Sequence, residues 1–328
     1  MGTLLFVIIV LLGLWFYAIA PGPGKAAAFR PFVGRTFAHR GLYSKDQQVP
    51  ENSLLAFLAA VEAGYGIELD VQLTRDGQVV VFHDASLLRA CGVDARVDAY
   101  TYEELSKLSL FGTNHRIPLF SDVLALVDGR SPLIVELKGD GCWKRLCEIT
   151  YALLKAYRGD YCVESFHPGP VRWFYKNAPE VLRGQLSEAY RYSKQFLPGY
   201  QAFGMSRVLT NALTHPQFLA YRIGPRCLSA RACQWLGAMG VSWTAGPNDD
   251  WGMLARISDC IIFEHCRPAT RFAKNDPSAP LLLELDPLIS PKAEHITAAT
   301  SKAPCANAVN QSTPATPASA CQNSLRDC

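Results

Sequence analysis

The chain has 328 residues, of which 49% are apolar and 19% charged, with a formal net charge of +3. That length holds one large domain with a deep core or two ordinary ones, and the composition is that of a globular protein. The charge is spread thinly and forms no basic block, which argues against a nucleic-acid partner.

In chain order, Thr3 to Ala20 is a nearly continuous apolar run, close to the length needed to cross a bilayer. Trp15 and Tyr17 lie toward one end, where interfacial aromatics are common. Ala18-Ile19-Ala20 has the small-x-small form of a signal-peptide cleavage site, but Pro21 follows it directly and no Lys or Arg precedes the apolar run. A retained single-pass anchor over 3–20 is therefore expected. The Pro21-Gly22-Pro23-Gly24 stretch argues against a buried core helix and opens a linker over 21–35. Lys25, Arg30 and Arg35 follow the anchor, so the positive-inside rule places the main domain on the cytoplasmic side.

Between 36 and 268, short apolar runs alternate with helical patterns. The predicted strands are Thr36–His39, Gly66–Val71, Val79–His83, Leu133–Leu137, Tyr161–Phe166, Gly184–Ser187, Phe218–Ile223, Val241–Ala245 and Cys260–Glu264. Their apolar content without clean alternation predicts strands covered on both faces, as in a parallel sheet. Predicted helices are Ser53–Gly64, Thr101–Leu108, Leu119–Val127, Trp143–Tyr157, Pro168–Ala178 and Ser229–Met239. Repeated strand-helix units of this kind predict a (β/α)8 TIM barrel, of the α/β class. Nine strands is one too many for that barrel. Thr74-Arg75-Asp76-Gly77 resolves the count, because Asp-Gly between apolar runs is a hairpin signal and the connection is too short for a helical crossover. Val79–His83 is thus expected to return antiparallel, with Phe82 or His83 level with Asp70. From 269 to 328 the chain turns to Ala, Thr, Ser, Pro, Asn and Gln, a composition that predicts a disordered tail. The eleven cysteines show no zinc spacing and several lie in apolar runs, so they read as small core residues.

The chemistry-bearing residues fall at strand ends. Glu68 and Asp70 are two apart on one strand and so face the same way. Two like-facing carboxylates in an apolar run call for a positive charge between them. Glu136 ends another strand and would bring a third oxygen ligand, with Lys138 on its face. Three carboxylates suit a divalent metal, Mg²⁺ or Ca²⁺. His39 and His83 each end a strand beside a charged residue, Arg40 and Asp84, and form a candidate acid and base pair. Arg40 and Lys138 are candidates to bind phosphate oxygens. Glu51 either touches the metal's surroundings or simply favours the helix entry that follows it. His115, His167, His215, His265 and His295 have no comparable neighbourhood.

These strings, His39-Arg40-Gly41, Pro50-Glu51-Asn52-Ser53, Glu68-Leu69-Asp70 through Gly77, His83-Asp84 and Glu136-Leu137-Lys138, resemble the glycerophosphodiester phosphodiesterase family. Glu164-Ser165-Phe166, Arg183-Gly184-Gln185-Leu186, Trp243-Thr244 and Ile261-Ile262-Phe263-Glu264 agree with it. The resemblance runs from about Phe37 to Pro268. It implies a TIM barrel that hydrolyses glycerophosphodiesters to an alcohol and glycerol 3-phosphate. It further implies Glu68, Asp70 and Glu136 as metal ligands, His39 and His83 as the acid/base pair, Arg40 and Lys138 on the phosphate, and Phe166 and Trp243 in the substrate pocket. Three positions depart from the family: Ser53 replaces a Thr, the chain diverges after Trp243-Thr244, and Phe263-Glu264 replaces Thr-Asp. Two other readings are open at this stage. One is a lysophospholipase D that takes membrane lysophospholipids past Tyr190, Tyr192, Phe196, Tyr200 and Phe203. The other is a tethered phosphoester-binding protein without turnover. No P-loop or GxGxxG occurs, so no nucleotide cofactor is expected.

Overall fold

Eight apolar runs form parallel strands that close on themselves in the computed structural model, which describes residues 2–24, 26–274 and 282–284. The strands are β1 (Arg35–Ala38), β2 (Gly66–Leu73), β3 (Val79–Val81), β4 (Leu133–Leu137), β5 (Tyr161–Ser165), β6 (Arg183–Ser187), β7 (Phe218–Arg222), β8 (Met239–Ala245) and β9 (Cys260–Phe263). β1 pairs in parallel with both β2 and β9, which closes the barrel. β3 stands outside it, antiparallel to β2. The ninth predicted strand is therefore the hairpin return that the Asp-Gly turn required. Its register pairs Val71 with Val81, and the Phe82 amide donates to the Asp70 carbonyl at 3.0 Å, so Phe82 lies level with Asp70.

Two apolar layers hold the barrel. Ile67, Leu69, Val135, Val163 and Ile261 point outward and pack under the helices. Phe37, Ile134, Cys162, Phe218, Val241 and Ile262 fill the inside. Gly66 and Gly184 are forced by that filling. A Cβ on Gly66 would lie 2.4 Å from the Phe37 ring, and one on Gly184 would lie 2.0 Å from the Phe218 ring. A third, smaller core of Val80, Phe82, Leu87, Val97, Leu105 and Ile117 supports the long excursion between β3 and β4.

The helix Leu54–Glu62 starts where the Ser53 hydroxyl accepts from the Ala56 amide at 3.2 Å. The helix expected over Ser229–Met239 is Leu228–Trp235 instead. Gly237, at φ 107°, breaks it and releases Met239 into β8. The expected helix Thr101–Leu108 shortens to Tyr102–Leu105, capped by Thr101. The helices Gly199–Ser206 and Trp251–Ile257 are additional to the sequence expectation.

The N-terminal helix Gly2–Ile19 is 18 residues long with a mean hydropathy of 2.5, and almost all of it is exposed. Only its end is held. Ile19 and Trp15 pack with Val208, Leu219, Tyr221 and Ala230, and the Asn211 amide donates to the Ile19 carbonyl at 3.0 Å. The following segment is a strap across the closed end of the barrel. Gly22 donates to the Pro216 carbonyl at 2.8 Å, Gln217 donates to the Pro23 carbonyl at 3.1 Å, and Phe32 stacks on Phe37. Past Pro268 the chain still packs, with Phe272 buried and its amide donating to Gly34 at 2.9 Å. Leu282–Glu284 pairs antiparallel with Arg267–Pro268. The rest of the segment expected to be a disordered tail lies outside the described residues.

Candidate active site

Successive side chains alternate across a strand, so the inward set that is apolar at one end of the barrel becomes polar at the other. On β2 the inward series is Gly66, Glu68, Asp70; on β4 it is Ile134, Glu136; on β5 it is Cys162, Glu164. Asp70 stands in register with Glu136, and Glu136 with Glu164. Oxygens of Glu68, Asp70 and Glu136 lie within 4.8 Å of one another, and all three residues are buried. The structure thus brings the expected ligand trio together.

Two cations are threaded through this cluster. Lys138 Nζ lies 2.6 Å from Asp70 Oδ1 and 2.8 Å from Glu136 Oε1. Arg40 Nη1 donates to Glu51 Oε1 at 2.8 Å, its Nε lies 3.5 Å from Asp70 Oδ2, and its backbone amide donates to Glu68 Oε2 at 3.0 Å. That amide reaches inward because Arg40 takes a left-handed turn, at φ 54°, ahead of Gly41 at φ 82°. A Cβ on Gly41 would meet the Ala56 backbone at 2.8 Å, so the turn packs directly on the helix Leu54–Glu62. Asn52 donates from Nδ2 to Asp70 Oδ2 at 2.8 Å.

Burial raises the protonation tendency of all the acids here, and the cations offset it unevenly. Burial, with repulsion from Asp70 and Glu136, pushes Glu68 well above the usual carboxylate range. Burial also pushes Glu136 up, against the pull of Lys138. For Asp70, burial is outweighed by Lys138, His83 and Arg40, which hold it well below that range. Glu164, buried beneath the trio, is pushed well up by burial and by Glu136 and Asp70, and its Oε2 has no hydrogen-bond partner. Such crowding of buried oxygens is what a hard divalent cation relieves, and the all-oxygen donor set fits one.

Each histidine is held by its Nδ1. His39 Nδ1 lies 2.8 Å from Glu264 Oε2, which also accepts from the Tyr43 hydroxyl at 3.0 Å. His39 Nε2 then faces Glu68, 3.9 Å away. Burial lowers the proton affinity of His39 despite the Glu264 contact, while His39 and Tyr43 overcome burial to hold Glu264 down at about 2. His83 Nδ1 lies 2.5 Å from Asp84 Oδ1. Asp84 is held in turn by Arg89, whose Nε donates to Oδ2 at 2.6 Å, and Arg89 also spans to Glu51 at 2.6 Å. Gln72 fixes the hairpin return, donating from Nε2 to the carbonyls of Phe82 and Asp84 at 2.8 Å each. Glu51 thus joins Arg40 to Arg89, behind the oxygen trio.

Phe166 and Trp243 meet edge to face at 5.4 Å on the inner wall of the same end, and Arg222 lies 5.9 Å over the Trp243 ring. Four participants were not identified from sequence: Glu264, Tyr43, Arg89 and Glu164. His265, expected to be ordinary, has its Nε2 3.4 Å from the Tyr43 hydroxyl. Glu264 had a legible signal, since it ends the last barrel strand as His39 ends the first. The departure from the family at that position therefore sits on a histidine rather than on an outer rim.

Known proteins share this fold. A phosphodiesterase of Oleispira antarctica, solved in complex with the product sn-glycerol-3-phosphate, superposes with a TM-score of 0.58 at 22% identity, over 72% of this chain and 94% of that one. A glycerophosphodiester phosphodiesterase of Thermotoga maritima gives 0.53 at 22% identity, over 70% and 93%. By sequence, a glycerophosphodiester phosphodiesterase of Bacillus altitudinis is 34% identical over 45% of this chain, and a lysophospholipase D of Rattus norvegicus is 33% identical over 40% of it. The matched segments span 64% and 44% of those relatives' own lengths. The pattern of one family runs from residue 39, at the end of the first strand, to residue 265, just past the last. That stretch takes in nearly the whole barrel and every residue placed around the oxygen trio, and by it the chain belongs to the glycerophosphoryl diester phosphodiesterase family.

Proposed function

We propose that this protein hydrolyses glycerophosphodiesters to an alcohol and glycerol 3-phosphate, with its catalytic unit in residues 36–268. The observation that carries the reading is the pair of histidines, each tied at Nδ1 to a carboxylate and each beside one cluster of buried oxygens. A group held this way presents Nε2 to the substrate in a fixed orientation. His39, whose burial favours the neutral ring, is the base that takes a proton from the attacking hydroxyl, whether water or the glycerol 2-hydroxyl. His83 is the acid that protonates the departing alcohol oxygen. Arg40 and Lys138 bind the phosphate oxygens, and Phe166 and Trp243 line the glycerol side. Glu68, Asp70 and Glu136 would hold Mg²⁺ or Ca²⁺, and a bound cation there supplies charge to the phosphoryl oxygen.

The test is a product assay on glycerophosphocholine, glycerophosphoethanolamine and glycerophosphoglycerol, with each metal and with chelator. Glycerol 3-phosphate should appear with metal and vanish with chelator; metal-dependent binding without product would instead favour a phosphoester-binding protein.

A second reading concerns the substrate. The exposed apolar helix Gly2–Ile19 fits a single-pass anchor with the barrel on the cytoplasmic side, which favours a lysophospholipase D acting on membrane lipids. A rate on lysophosphatidylcholine above that on glycerophosphocholine would select it.

A further inference from the structure

The connection from β6 to β7, on the open side of the barrel, presents apolar surface that nothing in the described fold covers. Phe196 is 83% exposed, Tyr200 76% and Phe203 49%, all within eight residues on or beside the helix Gly199–Ser206. Large aromatics at that exposure are not needed for packing, and clustered ones mark an interaction surface. The same segment carries Arg191, Lys194 and Arg207. Among the described residues none of these three has a carboxylate partner; they lie over the rings of Tyr192, Tyr190 and Phe203 at 4.7, 5.9 and 5.2 Å. Beside them is a cavity of about 340 Å³ whose lining includes Arg191, Arg207 and Arg226 and no acidic residue. Arg226 is committed to Gln234, Ser242 and the Ile257 carbonyl, which leaves Arg191 and Arg207 to meet a ligand.

Two contacts say what the ligand belongs to. Val208, directly after this helix, packs with Leu209 against Ile19 and Trp15 at the end of the apolar N-terminal helix. The patch is therefore continuous with the helix that, among the described residues, is alone in being long and apolar enough to cross a bilayer. At its other side, Tyr192 lies under Arg222, at 4.2 Å, and Arg222 reaches Trp243 in the candidate active site. Rings with unpaired cations at their edges are the chemistry of the bilayer interface, where aromatics sit at headgroup depth and cations meet lipid phosphates.

We propose that the β6–β7 connection is a docking surface for an anionic phospholipid bilayer, seating Phe196, Tyr200 and Phe203 among the headgroups and Arg191 and Arg207 on lipid phosphates. The inference rests on the anchor reading of the N-terminal helix. It brings the open end of the barrel, through Tyr192, Arg222 and Trp243, to the lipid surface.

The full chain is placed in nanodiscs of phosphatidylcholine alone or with one third phosphatidylglycerol, and amide hydrogen exchange is read over 190–207. A basic side chain near an anionic surface strengthens association by roughly fivefold. Exchange over that segment should slow by at least that factor in the anionic discs. Arg191→Gln with Arg207→Gln should remove the difference while turnover of glycerophosphocholine stays unchanged, which also reports that the variant is folded. Equal exchange in the two disc types, with the chain still embedded, overturns the docking surface and leaves the anchor standing. A chain that fails to co-migrate with discs of either kind overturns both.

Discussion

The two ends of the barrel are built on the same strands and differ by two residues of progress along them. On β1 the inward series goes from Phe37 to His39, on β2 from Gly66 to Glu68 and Asp70, on β4 from Ile134 to Glu136, and on β5 from Cys162 to Glu164. At the closed end, rings of Phe37 and Phe218 occupy the space that Gly66 and Gly184 leave. At the open end, neighbouring inward positions hold four buried carboxylates with too little positive charge among them. The first end gains from burial; the second works against it. A fold of this kind can bear an electrostatically costly site because the cost is confined to one end of the barrel.

The sharpest way to break the comparison is to change the open end alone. His39→Ala and His83→Ala should each lower turnover by about 10²- to 10⁴-fold with thermal stability nearly unchanged, read by product assay and calorimetry. Retention of turnover in both would end the acid/base assignment. Changing the closed end should do the reverse. Phe218→Ala should cost about 3–5 kcal/mol in stability, seen in urea unfolding, with normal turnover per folded molecule. Gly184→Ala should cost about 1–3 kcal/mol by overpacking against the Phe218 ring, partly relieved by Phe218→Leu. A smaller effect sharpens the link between first and last strands. Glu264→Gln removes a contact that raises the proton affinity of His39, so the acid limb of kcat/KM should move to lower pH while the rate falls. The smallest is on stability. Glu264 binds its proton less readily when folded, at about 2 against an ordinary 4.5, so its contribution is complete above 4.5 and lost as pH falls toward 2. The stability curve of Glu264→Gln should be flatter in that window.

Much of this was legible because periodicity and punctuation agree locally. Asp76-Gly77 between apolar runs sufficed to identify the hairpin and to predict the height of His83 against Asp70, since a turn fixes register. Glu68, Asp70 and Glu136 could be grouped because each is a carboxylate set among the apolar residues of a strand. Beyond its place at a strand end, Glu264 carries no local signal of its role, because its partner, His39, is 225 residues away in the chain. Tyr43 lies in an irregular segment and Arg89 on the four-residue helix Leu88–Cys91, too short for a period to assign a face, so sequence reasoning had no purchase on them. The same holds for the short helices Tyr190–Ser193, Gly199–Ser206 and Asn211–Thr214 between β6 and β7, each too short for an amphipathic repeat. Glu164 does have a sequence signal, since its spacing on β5 matches that of Glu136 on β4.

The strap at Gly22 and Pro23 has a mechanical consequence. A Pro-Gly stretch after an apolar helix ordinarily behaves as a loose leash, letting a domain tumble beneath its tether. Here Ile19, Gly22 and Pro23 are bonded in turn to Asn211, Pro216 and Gln217. The joint is a weld, with its slack taken up residue by residue. With the helix held as an anchor, as proposed above, any lean of it would pass to the barrel, and the direction in which the open end points would be set by tilt rather than by diffusion.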